Sequence, residues 1–100
     1  MIVASGTKGQ EIRAGSGDDV ICGTPGSDRI FSGDGDDVVL AGNGDDTIDG
    51  WNGDDTIDAG FGRDTVAGGS GEDTITGGPG ADTVSGNTGD DQLTGGGGDD

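Results

Sequence analysis

The chain has 100 residues, 26 of them Gly, and its 21 Asp plus Glu against 4 Lys plus Arg leave a net charge of −17. Only 26% of residues are apolar and 3% aromatic, so no layered core of ordinary size can be built from them. The charge repels nucleic acid and anionic membranes and favours cations, and no apolar run is long enough to insert in a bilayer as a helix.

In chain order, residues 1–13 read as an N-terminal cap and a degenerate repeat, SGTKGQEIR, with Ile2 and Val3 covering the first rung. Met1–Ala4 is too short for a signal peptide and lacks a positive flank. Residues 14–100 then fall into nonapeptides without insertion or deletion: AGSGDDVIC, GTPGSDRIF, SGDGDDVVL, AGNGDDTID, GWNGDDTID, AGFGRDTVA, GGSGEDTIT, GGPGADTVS, GNTGDDQLT and a final GGGGDD. The array stops at Asp100, before the strand of its last unit, and so reads as truncated at its C-terminus.

Comparing the units with one another separates fixed positions from free ones. The fourth is always glycine: Gly17, Gly26, Gly35, Gly44, Gly53, Gly62, Gly71, Gly80, Gly89 and Gly98. The sixth is always aspartate: Asp19, Asp28, Asp37, Asp46, Asp55, Asp64, Asp73, Asp82, Asp91 and Asp100. The eighth is aliphatic, from Ile21 to Leu93, whereas the fifth varies among Asp, Ser27, Arg63, Glu72 and Ala81. Ten glycines and ten aspartates in step are not what a disordered Gly/Asp linker produces.

Glycine at this density excludes helices. A glycine that never varies implies a positive φ or a close backbone approach. The last three residues of each unit, Thr/Val-Ile/Val-x, favour a short strand whose eighth residue points inward. One nonapeptide reverses the chain, so two close a coil of 18 residues. Stacked coils give two parallel sheets facing each other. Ile21, Val39, Ile57, Ile75 and Leu93 form one inward column, and Ile12, Ile30, Ile48, Val66 and Val84 form the other.

Rungs of a parallel sheet lie about 4.8 Å apart. Sixth-position aspartates 18 residues apart, such as Asp37 and Asp55, therefore stack, and each bare pair repels by roughly 3–4 kcal/mol at an effective dielectric of 20. Calcium binds oxygen at about 2.3–2.6 Å, so an ion between rungs fits this spacing, with one carboxylate from each rung and glycine carbonyls completing the shell. Magnesium fits less well. Zinc is not expected from a chain with one Cys and no His. Two rows with about four gaps each hold about eight Ca²⁺, close to neutralising the chain. The sites at the ends of the rows should be the weakest, and Gln10 leaves the first unit without its aspartate.

The pattern GGxGxDxUx, with U aliphatic, resembles the calcium-binding nonapeptides of the repeats-in-toxin (RTX) family over residues 14–100. The resemblance implies a right-handed parallel β-roll, a two-sheet solenoid with Ca²⁺ between its turns. Its ligands would be the sixth-position Asp carboxylates and turn carbonyls, including those near the second and fourth positions. It also implies a bacterial protein exported unfolded through a type I system, with this roll part of a larger secreted protein. Thr24, Trp51 and Asn87 depart from the pattern at the second position, where a positive φ would strain them.

Two other classes of function bear on the same residues. An extracellular adhesion module would use structural Ca²⁺ and present an outer Thr face (Thr47, Thr56, Thr65, Thr74, Thr83) to a glycan or surface. An enzyme would need a distinct constellation. Here every carboxylate repeats in a row, so no catalytic residue is expected, and catalysis in the resembled family belongs to other domains. Cys22 has no His to activate it and reads as a residue flanking a strand. Trp51 and Phe61 fall in turns, exposed or packed across neighbouring turns.

Overall fold

The computed structural model describes residues 2–3 and 9–98. Its strands, in chain order, are β1 (Ile2–Val3), β2 (Glu11–Arg13), β3 (Val20–Cys22), β4 (Arg29–Phe31), β5 (Val38–Leu40), β6 (Thr47–Asp49), β7 (Thr56–Asp58), β8 (Thr65–Ser70), β9 (Thr74–Thr76), β10 (Thr83–Thr88) and β11 (Gln92–Thr94). No helix occurs among the described residues. Strands two apart in sequence pair in parallel, giving one sheet in the order β1-β3-β5-β7-β9-β11 and a second in the order β10-β8-β6-β4-β2. The chain is thus a two-sheet β-solenoid of 18 residues per turn, 31 × 29 × 13 Å overall.

Register follows the repeat. Ile21 pairs with Val39, Val39 with Ile57 and Ile57 with Ile75 in the first sheet, and Ile30 pairs with Ile48 in the second. The first strand departs from this spacing: Ile2 lies opposite Ile21 and Val3 opposite Cys22, a separation of 19. Adjacent apolar residues give no periodic signal to decide such a slip. The pairing with β3 sets β1 beside the first rung of that sheet.

Eight of the ten expected inward aliphatics are buried: Ile12, Ile21, Ile30, Val39, Ile48, Ile57, Val66 and Ile75. Two are not: Leu93 is 47% exposed and Val84 is half-buried. They lie on β11 and β10, the edge strands at one end of the two sheets, so neither has a following rung to pack against among the described residues.

The interior also takes more than the eighth residue of each unit. The sixth-position aspartates Asp28, Asp37, Asp46, Asp55, Asp64, Asp73 and Asp82 are buried, and so are first-position Ser32, Ala41 and Ala59. The first position holds only Gly, Ala or Ser throughout. Some of these positions leave no room even for a Cβ: on Gly50 it would stand 2.5 Å from Asp55 Oδ2 and 2.4 Å from Gly68 O. Ser32 fits by donating its hydroxyl to Gly50 O at 2.9 Å.

The single Thr face expected from the sequence is two faces. Thr47, Thr65 and Thr83 lie on β6, β8 and β10 of one sheet, while Thr56 and Thr74 lie on β7 and β9 of the other. The two sheets turn their outer faces in opposite directions, so these residues cannot form one binding surface. Trp51 and Phe61 are exposed in turns, as expected.

Candidate metal centre

Each site begins with a glycine turn. The second and fourth positions take positive φ, for example 100° at Gly33 and 124° at Gly35. Asn87 (φ 68°) and Trp51 (φ 72°) adopt the same conformation at the second position. Asparagine tolerates it, whereas a residue such as Trp gives up roughly 1–2 kcal/mol. Thr24 does not adopt it.

The turns are laddered like the strands. Third-position N–H groups donate to second-position carbonyls one rung back, as Asp34 to Gly15 O at 2.9 Å and Phe61 to Gly42 O at 2.9 Å. Fourth-position N–H groups donate to third-position carbonyls one rung on, as Gly35 to Asn52 O at 3.0 Å. The fourth-position carbonyls point at the next fourth-position glycine: a Cβ on Gly53 would lie 1.9 Å from Gly35 O. A fourth-position side chain is therefore excluded both by φ and by the rung beneath.

The sixth-position aspartates form two rows, as the spacing predicts. Asp19 donates its N–H to Asp37 Oδ1 (2.8 Å), Asp37 to Asp55 Oδ1 (2.9 Å), Asp55 to Asp73 Oδ1 (2.9 Å) and Asp73 to Asp91 Oδ1 (2.9 Å). In the other row Asp28 donates to Asp46 Oδ1 (2.7 Å), Asp46 to Asp64 Oδ1 (2.8 Å) and Asp64 to Asp82 Oδ1 (2.9 Å). Asp100 lies outside the described residues. Asp46 and Asp55, adjacent in the duplicated NGDDTID motif, thus belong to different rows.

Sequence reasoning did not anticipate this side-chain ladder. It gives each aspartate a structural role for one of its two oxygens. The fifth position has a job as well. Asp18 Oδ1 accepts the N–H of Asp36, Asp36 that of Asp54, Asp45 that of Arg63 and Asp54 that of Glu72, each at 2.9 Å or less. Ser27 serves Asp45 through its hydroxyl at 3.2 Å. These bonds are exposed and weak, which is why the position tolerates change.

The second carboxylate oxygen is left without such a role. Oδ2 of Asp19, Asp37, Asp46, Asp55, Asp64 and Asp73 is buried and meets no hydrogen-bond donor. Burying an ionised oxygen without a partner is costly, and here the rows repeat that burden from rung to rung. A proton, a cation or a hydrogen-bond donor would relieve it, and these six oxygens meet no donor. Among the described residues no three acidic, Cys or His side chains converge on one point. A cation in these turns must therefore draw on backbone carbonyls as well as carboxylates, an all-oxygen donor set that suits a hard cation such as Ca²⁺. The residues present fit that ion. It would supply the positive charge the rows lack, held by the sixth-position carboxylates with turn carbonyls beside them.

Protons compete for the same oxygens. Burial raises the Asp55 carboxyl to about 7 and those of Asp46 and Asp64 to about 6, with same-row carboxylates adding to the shift. Burial also raises Asp37 and Asp73. Unfolded, these groups release their protons near 3.8. The metal-free roll therefore binds protons that the unfolded chain has lost. This contribution to its stability is full below about pH 4 and disappears as pH rises through about 6–7. Acidifying the metal-free chain from about pH 8 to about pH 4.5 should increase its far-UV sheet signal. A signal that stayed flat or fell would contradict the burial of these carboxylates.

The family model described as RTX calcium-binding nonapeptide repeat (4 copies) matches residues 11–30, 31–66 and 67–100. No curated protein and no solved structure matches the chain at a significant level. Glycine turns in unbroken register, two rows of buried aspartates and this match over most of the chain lead to one conclusion: the chain belongs to the RTX calcium-binding nonapeptide repeat family and is a calcium-binding repeat module folded as a parallel β-roll.

Proposed function

We propose that this module is a calcium-triggered folding element of a larger secreted protein, disordered until it meets extracellular Ca²⁺. The observation that carries the reading is the set of buried Oδ2 atoms without donors. The metal-free roll holds repelling carboxylates beside a core of about ten small aliphatic side chains, too little to order the chain alone. Calcium binds the folded turns and not the coil, so binding energy becomes folding energy.

The proposed ligands are the sixth-position carboxylates and the fourth-position glycine carbonyls, with about eight ions at full occupancy. Among the described residues, no backbone hydrogen bond outside the strands occupies the carbonyls of Gly17, Gly35, Gly44, Gly53, Gly62 or Gly71, which leaves them available. Export through a narrow channel requires an unfolded chain, and cytosolic calcium is scarce, so the same coupling suits secretion. In this reading the module is non-catalytic and its partner is the calcium ion. Calcium titration, followed by calorimetry and far-UV circular dichroism, tests it.

A further inference from the structure

The turn at residues 23–28 departs from the others. From Gly15 to Gly98, the second and fourth positions of the other turns take positive φ, but Thr24 and Gly26 do not. Proline alone is not the cause. Gly78-Pro79-Gly80, in the same row of turns, keeps φ at 93° and 135° around its own proline. The difference between the two turns at the second position is Thr24, whose Cβ disfavours positive φ and which precedes a proline.

Thr24 is 2% exposed, and both of its hydrogen-bond donors point at one carboxylate. Its N–H donates to Asp28 Oδ2 at 2.7 Å and its hydroxyl to Asp28 Oδ1 at 2.7 Å. Gly26 N–H, in turn, donates to Thr24 Oγ1 at 3.1 Å. From the preceding rung, Gln10 N–H reaches Asp28 Oδ1 at 2.8 Å. The oxygen that meets no donor in Asp46 and Asp64 of the same row is here filled by a main-chain N–H.

We propose that this turn takes no calcium: Thr24 does the ion's work. Together with Gln10, which stands at the sixth position one rung back in this row, it closes one end of the row with protein groups alone. The result is a metal-independent cap on which the calcium-loaded rungs stack. The chemistry is direct. Three donors aimed at Asp28 satisfy its charge, and the same N–H and O–H dipoles present their positive ends to any approaching cation. Solenoids need such closed ends.

The inference rests on the calcium reading above, and calorimetry of three chains separates the two. Thr24→Gly recreates a Gly-Gly-Pro-Gly turn and should bind one more calcium ion per chain than the natural protein. Thr24→Val, β-branched, strongly disfavours positive φ and lacks the hydroxyl, so it should gain no ion and should need more calcium to fold. At half-saturating calcium, amide exchange in the natural chain should be slower at Thr24 and Gly26 than at Gly53. Equal stoichiometry in the natural and Thr24→Gly chains overturns the inference alone. So does exchange at Thr24 that slows only when Gly53 does, a readout that holds even if a variant fails to fold. No calcium uptake by any chain sinks both the inference and the calcium reading.

Discussion

Gly53→Ala should destabilise the roll severely, whereas Gly17→Ala, at the same repeat position, should only weaken it. Both glycines have positive φ, 120° and 101°. They differ in what lies beneath. A Cβ on Gly53 would stand 1.9 Å from Gly35 O and 2.5 Å from Gly35 C, while on Gly17 it would meet nothing within 4 Å. The obstacle at Gly53 is backbone, held by the ladder, and it cannot swing aside as a side chain tip could. Gly17→Ala should therefore show only the left-handed backbone penalty, roughly 1–2 kcal/mol. Gly53→Ala adds the separation of two rungs and should lose about 3 kcal/mol or more. Thermal unfolding in saturating calcium measures both. Equal losses would show that φ alone fixes the fourth position and that the rungs are not in contact there.

Asp55→Asn should have opposite effects with and without calcium. Asparagine can keep Oδ1 as the acceptor for Asp37 N–H, at 2.9 Å in the natural chain. It removes the charge on the buried Oδ2, which has no donor. Asp37 and Asp73 also gain from its removal, because their carboxylates repel that of Asp55. The metal-free variant should thus be more structured than the natural chain near neutral pH. In calcium the variant loses a ligand between two pairs of rungs. Calcium stoichiometry should fall by one or two, and the concentration for half-folding should rise by roughly one to two orders of magnitude, equivalent to losing about 1.5–3 kcal/mol of charge-assisted contact. Asp58→Asn, exposed on the outer face of β7, should leave the titration unchanged. A variant weakened equally in both conditions would reduce Asp55 to a ladder residue.

Much of the fold was legible because a nine-residue period leaves few solutions. Once Ile21, Val39 and Ile57 must share a column, 18-residue turns and parallel pairing follow, and the observed register agrees. The aspartate rows were legible for the same reason. What the period could not convey was the division of labour within a carboxylate: Oδ1 of Asp55 serves the backbone while Oδ2 faces the interior. The first position had a usable signal, since only Gly, Ala and Ser occur from Ala14 to Gly95, but small residues in a Gly-rich turn are easily attributed to the turn itself. Thr24 looked like a tolerated exception and is a specific replacement. It can be understood only beside Asp28, four residues on, and Gln10, one rung back. The register slip at Ile2 depends on pairing that no repeat dictates.

The central claim is that cations in the turns complete the fold. Its most direct measurement is far-UV circular dichroism of the metal-free chain near pH 7.5, repeated as calcium is raised to millimolar while calorimetry counts the ions. Expected are a coil spectrum without calcium, a cooperative change to sheet on its addition, and about seven ions bound per chain, one fewer than the roughly eight gaps of the two rows because the Thr24 turn takes none. Sheet signal already present in the metal-free chain, or a stoichiometry near zero, would contradict it.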